Sequence, residues 1–148
     1  MRTILLLAAT VGAVAVTYSA TSSAAQNPWT IEHFQTKETW HAFADVGKNG
    51  ASPDDIYAAQ QDLQTPDGHN AGVVNGYGIN LRRPYVFFHW TATLKGGTIT
   101  LDSAVNLKTN TTVYPIAGGT GRYAGAVGTV TLADNGSKGS LVTIRYRR

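Results

Sequence analysis

Pro115-Ile116-Ala117-Gly118-Gly119-Thr120-Gly121-Arg122-Tyr123-Ala124-Gly125-Ala126-Val127-Gly128-Thr129-Val130-Thr131-Leu132 is a glycine-studded turn that runs into a clean β-strand. Glycines at 118, 119, 121, 125 and 128 permit positive φ and close backbone approach. Val130 and Leu132 then alternate with Thr129 and Thr131 at the two-residue period of a strand. The stretch reads as a tight corner feeding a strand, and the rest of the chain has the same grammar.

Helical periodicity is scarce, whereas β-branched and aromatic residues alternate with polar ones. Strands are predicted over 30–44, 55–63, 71–81, 85–94, 98–107, 112–117, 126–133 and 139–147. They are separated by Gly47-Lys48-Asn49-Gly50, Thr65-Pro66-Asp67-Gly68, Arg83-Pro84, Lys95-Gly96-Gly97 and Asp134-Asn135-Gly136. The fold class is all-β. About eight short strands joined by hairpin turns suit an up-and-down barrel, which has no exposed edges and can hold one small ligand; a sandwich is the structural alternative.

Residues 1–25 are expected to be a signal peptide. Arg2 supplies the positive start, Ile4 to Val16 the apolar run, and Ser22-Ser23-Ala24 or Ser23-Ala24-Ala25 the small residues of a cleavage site. That run is short for a membrane span. Residues 26–148 then form one secreted domain, with no membrane role after cleavage. The net charge is +3, and taking away Arg2 leaves +2, too little for a nucleic-acid footprint. With no cysteine, a secreted chain must be held by its core and its hydrogen-bond ladder, which favours a closed sheet.

Strand 98–107 shows two clear faces. Ile99, Leu101, Val105 and Leu107 lie on one side, and Thr98, Thr100, Asp102 and Asn106 on the other. Strand 85–94 is apolar on the face of Val86, Phe88, Trp90, Ala92 and Leu94 and amphipathic on the face of Tyr85, Phe87, His89, Thr91 and Thr93, so both of its faces are expected to be covered. His89, set among aromatics where an imidazole can move a proton near neutral pH, is the candidate catalytic residue. Tyr85 and Phe87 share its face and would give a ligand an apolar wall with one hydroxyl. Asn75 and Tyr77 share a face of strand 71–81 and are candidate hydrogen-bonding ligand contacts; the spacing leaves open which way that face points.

No cofactor or metal site is expected. His33 and His41, read as one face, stand about 26 Å apart at about 3.3 Å per residue of strand. His69 lacks a partner at ligand spacing. The glycines at 118–121 precede a strand, whereas phosphate loops need a helix start.

The pattern from Gly118 to Leu132 resembles the allene oxide cyclase and dirigent barrel superfamily, and Tyr114 to Tyr123 is similar in shape to a motif of bacterial spirotetronate cyclases. The resemblance covers residues 85–132 well and the remainder of the domain loosely. It implies an eight-stranded antiparallel, calycin-like β-barrel. Counted back from the Gly97 hairpin, it places pocket aromatics on the face of Tyr85, Phe87 and His89, and on this count Ile99, Leu101 and Val105 also face inward. Gly72-Val73-Val74-Asn75-Gly76 is similar to a dirigent strand in which a polar residue precedes the second glycine. Plant cyclases use an early-strand Glu, then Asn, then Ser-Pro to hold water on the epoxide oxygen. Glu32 is followed by Phe34 instead, so Glu32 and Glu38 are read as exposed edge carboxylates and the allene oxide reaction itself is not expected.

The function expected is therefore a secreted barrel that binds a small hydrophobic molecule in its lumen. It would act as a cofactor-free cyclase or isomerase or as a dirigent-type guide; the alternatives are a non-catalytic carrier and a structural or interaction barrel. The Phe88 and Trp90 face would either join copies into a homo-oligomer, as plant relatives associate, or pack on Trp29 and the first strand.

Overall fold

The computed structural model describes residues 28–148, so the signal-peptide reading of residues 1–25 lies outside the described residues. Eight strands follow one another: β1 (Thr30–Ala44), β2 (Ile56–Gln64), β3 (Asn70–Asn80), β4 (Tyr85–Leu94), β5 (Gly97–Asn106), β6 (Thr111–Gly119), β7 (Val127–Asp134) and β8 (Ser140–Arg147). Each is antiparallel to the next, and β1 closes on β8, giving a closed eight-stranded antiparallel barrel. The barrel reading of the sequence holds, and the sandwich is excluded.

The inner faces supply the core: Phe34, Leu63, Ala92, Leu94, Ile99, Leu101, Val105, Tyr114, Val130, Val142, Ile144 and Tyr146. In the β4–β5 hairpin Leu94 is opposite Gly97, Trp90 opposite Leu101 and Val86 opposite Val105. Because opposed residues share a face, the dry face of β5 brings Val86, Phe88, Trp90 and Ala92 inward with it.

Glycine governs two close approaches. Gly121 (φ 56°) ends the β6 corner with its Cα against the β4–β5 turn; a side chain there would sit 3.0 Å from the Gly96 carbonyl carbon. The short 3₁₀ turn Gly121–Tyr123 thus docks on that hairpin, and Arg122 N–H donates to the Gly96 carbonyl at 2.8 Å. On β3, Gly76 and Gly78 lie opposite Trp90 and Phe88. A Cβ at Gly78 would be 2.5 Å from Phe88 Cε1, and one at Gly76 would be 2.7 Å from Trp90 Cδ2 and closer still to Cε3. Both rings occupy the space that a side chain on β3 would fill.

β1 is longer than β8 can match. It pairs with β8 only from Thr30 to Gln35 and continues along β2 to Ala44. A bulge between Glu38 and Trp40 shifts the register by one residue, which turns Trp40 outward and brings His41 onto the face of Glu38. The expectation of His33 and His41 on a common face is corrected by this bulge.

Candidate functional site: the barrel lumen

The hairpin register reverses the orientation expected for β4. Tyr85 is exposed, Phe87 and His89 are part-exposed on the outer wall, and the inner wall carries Phe88, Trp90 and Ala92. Asn75 and Tyr77 likewise point outward, and none of the five candidates lines the lumen. They do meet one another outside: the Tyr77 and His89 rings stack at 5.3 Å, and His89 Nδ1 donates to Asp102 at 2.6 Å. The Phe88 and Trp90 face is lumen wall, not an oligomer contact, and Trp29 instead lies under the guanidinium of Arg145 at 4.0 Å. The inward placing of Ile99, Leu101 and Val105 agrees with their burial.

The lumen is a cavity of about 340 Å³, within the range of small-ligand sites. Its wall is apolar: Leu63, Val74, Ile99, Leu101, Val130 and Ile144 surround an aromatic panel. Phe88 and Trp90 stack at 5.6 Å, and Tyr114 meets Phe88 edge-on at 6.5 Å. Burial pushes the Tyr114 phenol up to about 12, partly offset by a hydrogen bond with Trp90, so it stays protonated. The polar lining clusters at one end, where the loops after β5 and β7 begin: Thr109, Asn110, Asp134 and Ser140, with Thr36, Tyr57 and Gln61 from β1 and β2. This is the mouth.

The other end is closed. Glu32, on the inner face of β1, accepts from Arg122 at 2.5 Å and from the phenols of Tyr123 and Tyr146 at 3.0 Å each. Tyr123 is fully buried, and its ring meets Tyr146 edge-on at 5.4 Å. Burial, with Glu32 as its acceptor, carries the Tyr123 phenol to about 12. Glu32 is therefore not the exposed edge carboxylate that its sequence context suggests; its side chain is 16% accessible and forms the centre of a plug. The residues that clamp it come from the glycine-rich corner and from β8, at least 90 positions away.

Glu38 is also committed, at the mouth. The Tyr57 hydroxyl donates to its Oε2, and His41 Nδ1 donates to its Oε1 at 2.8 Å. The Tyr57 bond chiefly holds the Glu38 carboxyl below its usual range. Burial first, and Glu38 second, push the Tyr57 phenol to about 12. The His41 ring stacks on Tyr57 at 6.1 Å. Reading the sequence alone misses this trio, because only the bulge puts His41 beside Glu38.

A family model described as an allene oxide cyclase barrel-like domain matches residues 32–143. Among solved structures, a pyocyanin demethylase superposes with a TM-score of 0.72 at 23% identity, over 79% of this chain and 99% of that one. The Diels-Alderase AbmU from Streptomyces koyangensis gives 0.66 at 17% identity, over 87% and 72%. The pterocarpan synthase dirigent protein GePTS1 gives 0.64 at 15%, over 94% and 96%. No curated protein sequence matches the chain. At these identities the structural likeness establishes the shared barrel and nothing finer. With the family match spanning most of the chain, together with the closed ring of eight strands and the glycine-rich corner, the protein belongs to the allene oxide cyclase barrel-like family.

Proposed function

We propose that this is a secreted cyclase-type barrel that takes one small hydrophobic molecule into its lumen through the polar mouth and holds it folded for ring closure or isomerisation. The observation that carries the reading is the cavity of about 340 Å³ with an aromatic panel, a polar rim at one end and a plug at the other. The Diels-Alderases and dirigent proteins among its structural neighbours support the same class of chemistry. Such a site needs few reactive side chains. Excluding water and holding reacting atoms close lowers a barrier by up to about 7–11 kcal/mol, a task suited to stacked Phe88 and Trp90. Arg2 and the apolar run from Ile4 to Val16 support export.

The test uses the neutral fluorophore N-phenyl-1-naphthylamine. One molecule is expected to bind per barrel, with quenching of Trp90 emission. Ala92→Phe, which fills the cavity from its wall, should abolish binding while far-UV circular dichroism stays unchanged. Undiminished binding by a folded Ala92→Phe protein would refute the lumenal reading. Export is checked by sequencing the N-terminus of protein from the culture medium, expected near Ala25 or Gln26; full-length chain confined to the cells would refute it.

A further inference from the structure

Tyr57 lines the cavity, while the carboxylate that accepts its hydrogen bond, Glu38, stands behind it in the polar notch between β1 and the turn before β8, with Gln61 and Lys138. The arrangement limits what Tyr57 can do. A phenol has one proton and accepting lone pairs. Its proton is committed to Glu38, so toward the lumen it can only accept. The negative charge behind it makes that oxygen a better acceptor than a free phenol. His41 occupies the other Glu38 oxygen and stacks on the Tyr57 ring, fixing both partners. Thr36, the neighbouring hydroxyl, is already spent on the backbone N–H of Ser140 at 3.0 Å and its carbonyl at 3.4 Å. β1 and β2 are joined by their own ladder on both sides of the bulge, so the trio is not needed to hold the strands together.

From this geometry we propose that Tyr57 is the residue that selects the ligand's polar end, and that the ligand class is a hydrophobic molecule carrying a hydrogen-bond donor, a phenol, enol or alcohol, at the end nearest the mouth. Glu38 and His41 are positioning residues that act through Tyr57. The inference rests on the lumenal reading above and adds to it the chemistry of the substrate.

Calorimetry at pH 7 with 2-naphthol and 2-methoxynaphthalene tests it, since the pair differ in the donor. Wild-type protein should prefer 2-naphthol by about tenfold, as expected for a hydrogen bond to a charge-backed acceptor. Tyr57→Phe keeps the ring and its stacking but removes the acceptor. It should weaken 2-naphthol by about that factor and leave 2-methoxynaphthalene unchanged. Glu38→Gln should reduce the preference in the same direction. A preference that survives in Tyr57→Phe, or an equal loss for both probes, overturns the assignment of Tyr57 while leaving the lumen as the binding site. Failure of both probes to bind wild-type protein overturns the lumenal reading, and this inference falls with it.

Discussion

Gly76→Ala is expected to destabilise the barrel, although replacing glycine in a strand is ordinarily favourable. The added methyl would sit 2.7 Å from Trp90 Cδ2, closer to Cε3, and against the backbone carbonyl oxygen of His89; relaxed carbon pairs need about 3.5–4.0 Å. The carbonyl cannot rotate away because it belongs to the paired strand. The Trp90 ring cannot tilt freely either, with Phe88 stacked beside it. Relief requires β3 and β4 to part or Trp90 to move into the cavity. Overpacking of this kind costs about 1–3 kcal/mol, and the rigid backbone contact puts Gly76 toward the upper end. Loss of unfolded-state entropy returns about 0.4–1 kcal/mol, leaving a net loss of about 2 kcal/mol. For a domain of this size that is a fall in Tm of about 8 °C. Gly118→Ala is the internal control, because a Cβ there meets nothing within 4 Å, and it should stay within about 0.5 kcal/mol of wild type. Urea denaturation followed by tryptophan fluorescence measures both. Equal stability of the two variants would refute the claim that the β3 glycines exist to seat the aromatic panel.

His89→Ala should leave N-phenyl-1-naphthylamine affinity unchanged, because His89 faces outward; a loss of affinity would contradict the β4 orientation. In the plug, Glu32→Gln and Tyr123→Phe should each cost about 1–3 kcal/mol, the range for disturbing a buried hydrogen-bonded group. A double-mutant cycle should show coupling of about 1 kcal/mol; strictly additive losses would mean that the two do not act as a unit. The phenols of Tyr57, Tyr114 and Tyr123 are each raised to about 12 from the usual 10.0, chiefly by burial. The folded state therefore keeps protons that the unfolded state gives up. Their contribution to stability is present below about pH 10 and is lost as pH rises toward 12. Absorbance titration at 295 nm together with urea midpoints across that range checks this, and a flat stability profile would refute it.

The architecture was legible in the sequence because alternation and glycine-rich turns are local signals. β1 and β4 match their predicted bounds, and the other strands match within two residues. The orientation of β4 was legible too. A two-residue turn at Lys95-Gly96 sets Trp90 against Leu101, so inward Ile99 and Leu101 cannot coexist with inward His89. The family-based register overrode that constraint. The plug and the mouth trio lay beyond reach for a different reason. Glu32 meets Arg122, Tyr123 and Tyr146 only after the barrel closes, and nothing around Thr39 announces the bulge that swings His41 beside Glu38. Even the glycine-rich corner held more than a bend, since its Arg122 and Tyr123 are what seal the floor.

Among the described residues, that seal makes the lumen a sack whose way in is the polar mouth. On the function proposed above, a molecule that enters past Tyr57 and Asn110 would leave by the same route, so a product and the next substrate would compete for one passage. Turnover in such a vessel would then be paced by how readily the transformed guest loses its grip on the rim, and a reaction that hides or consumes the guest's polar end would release it without any moving lid.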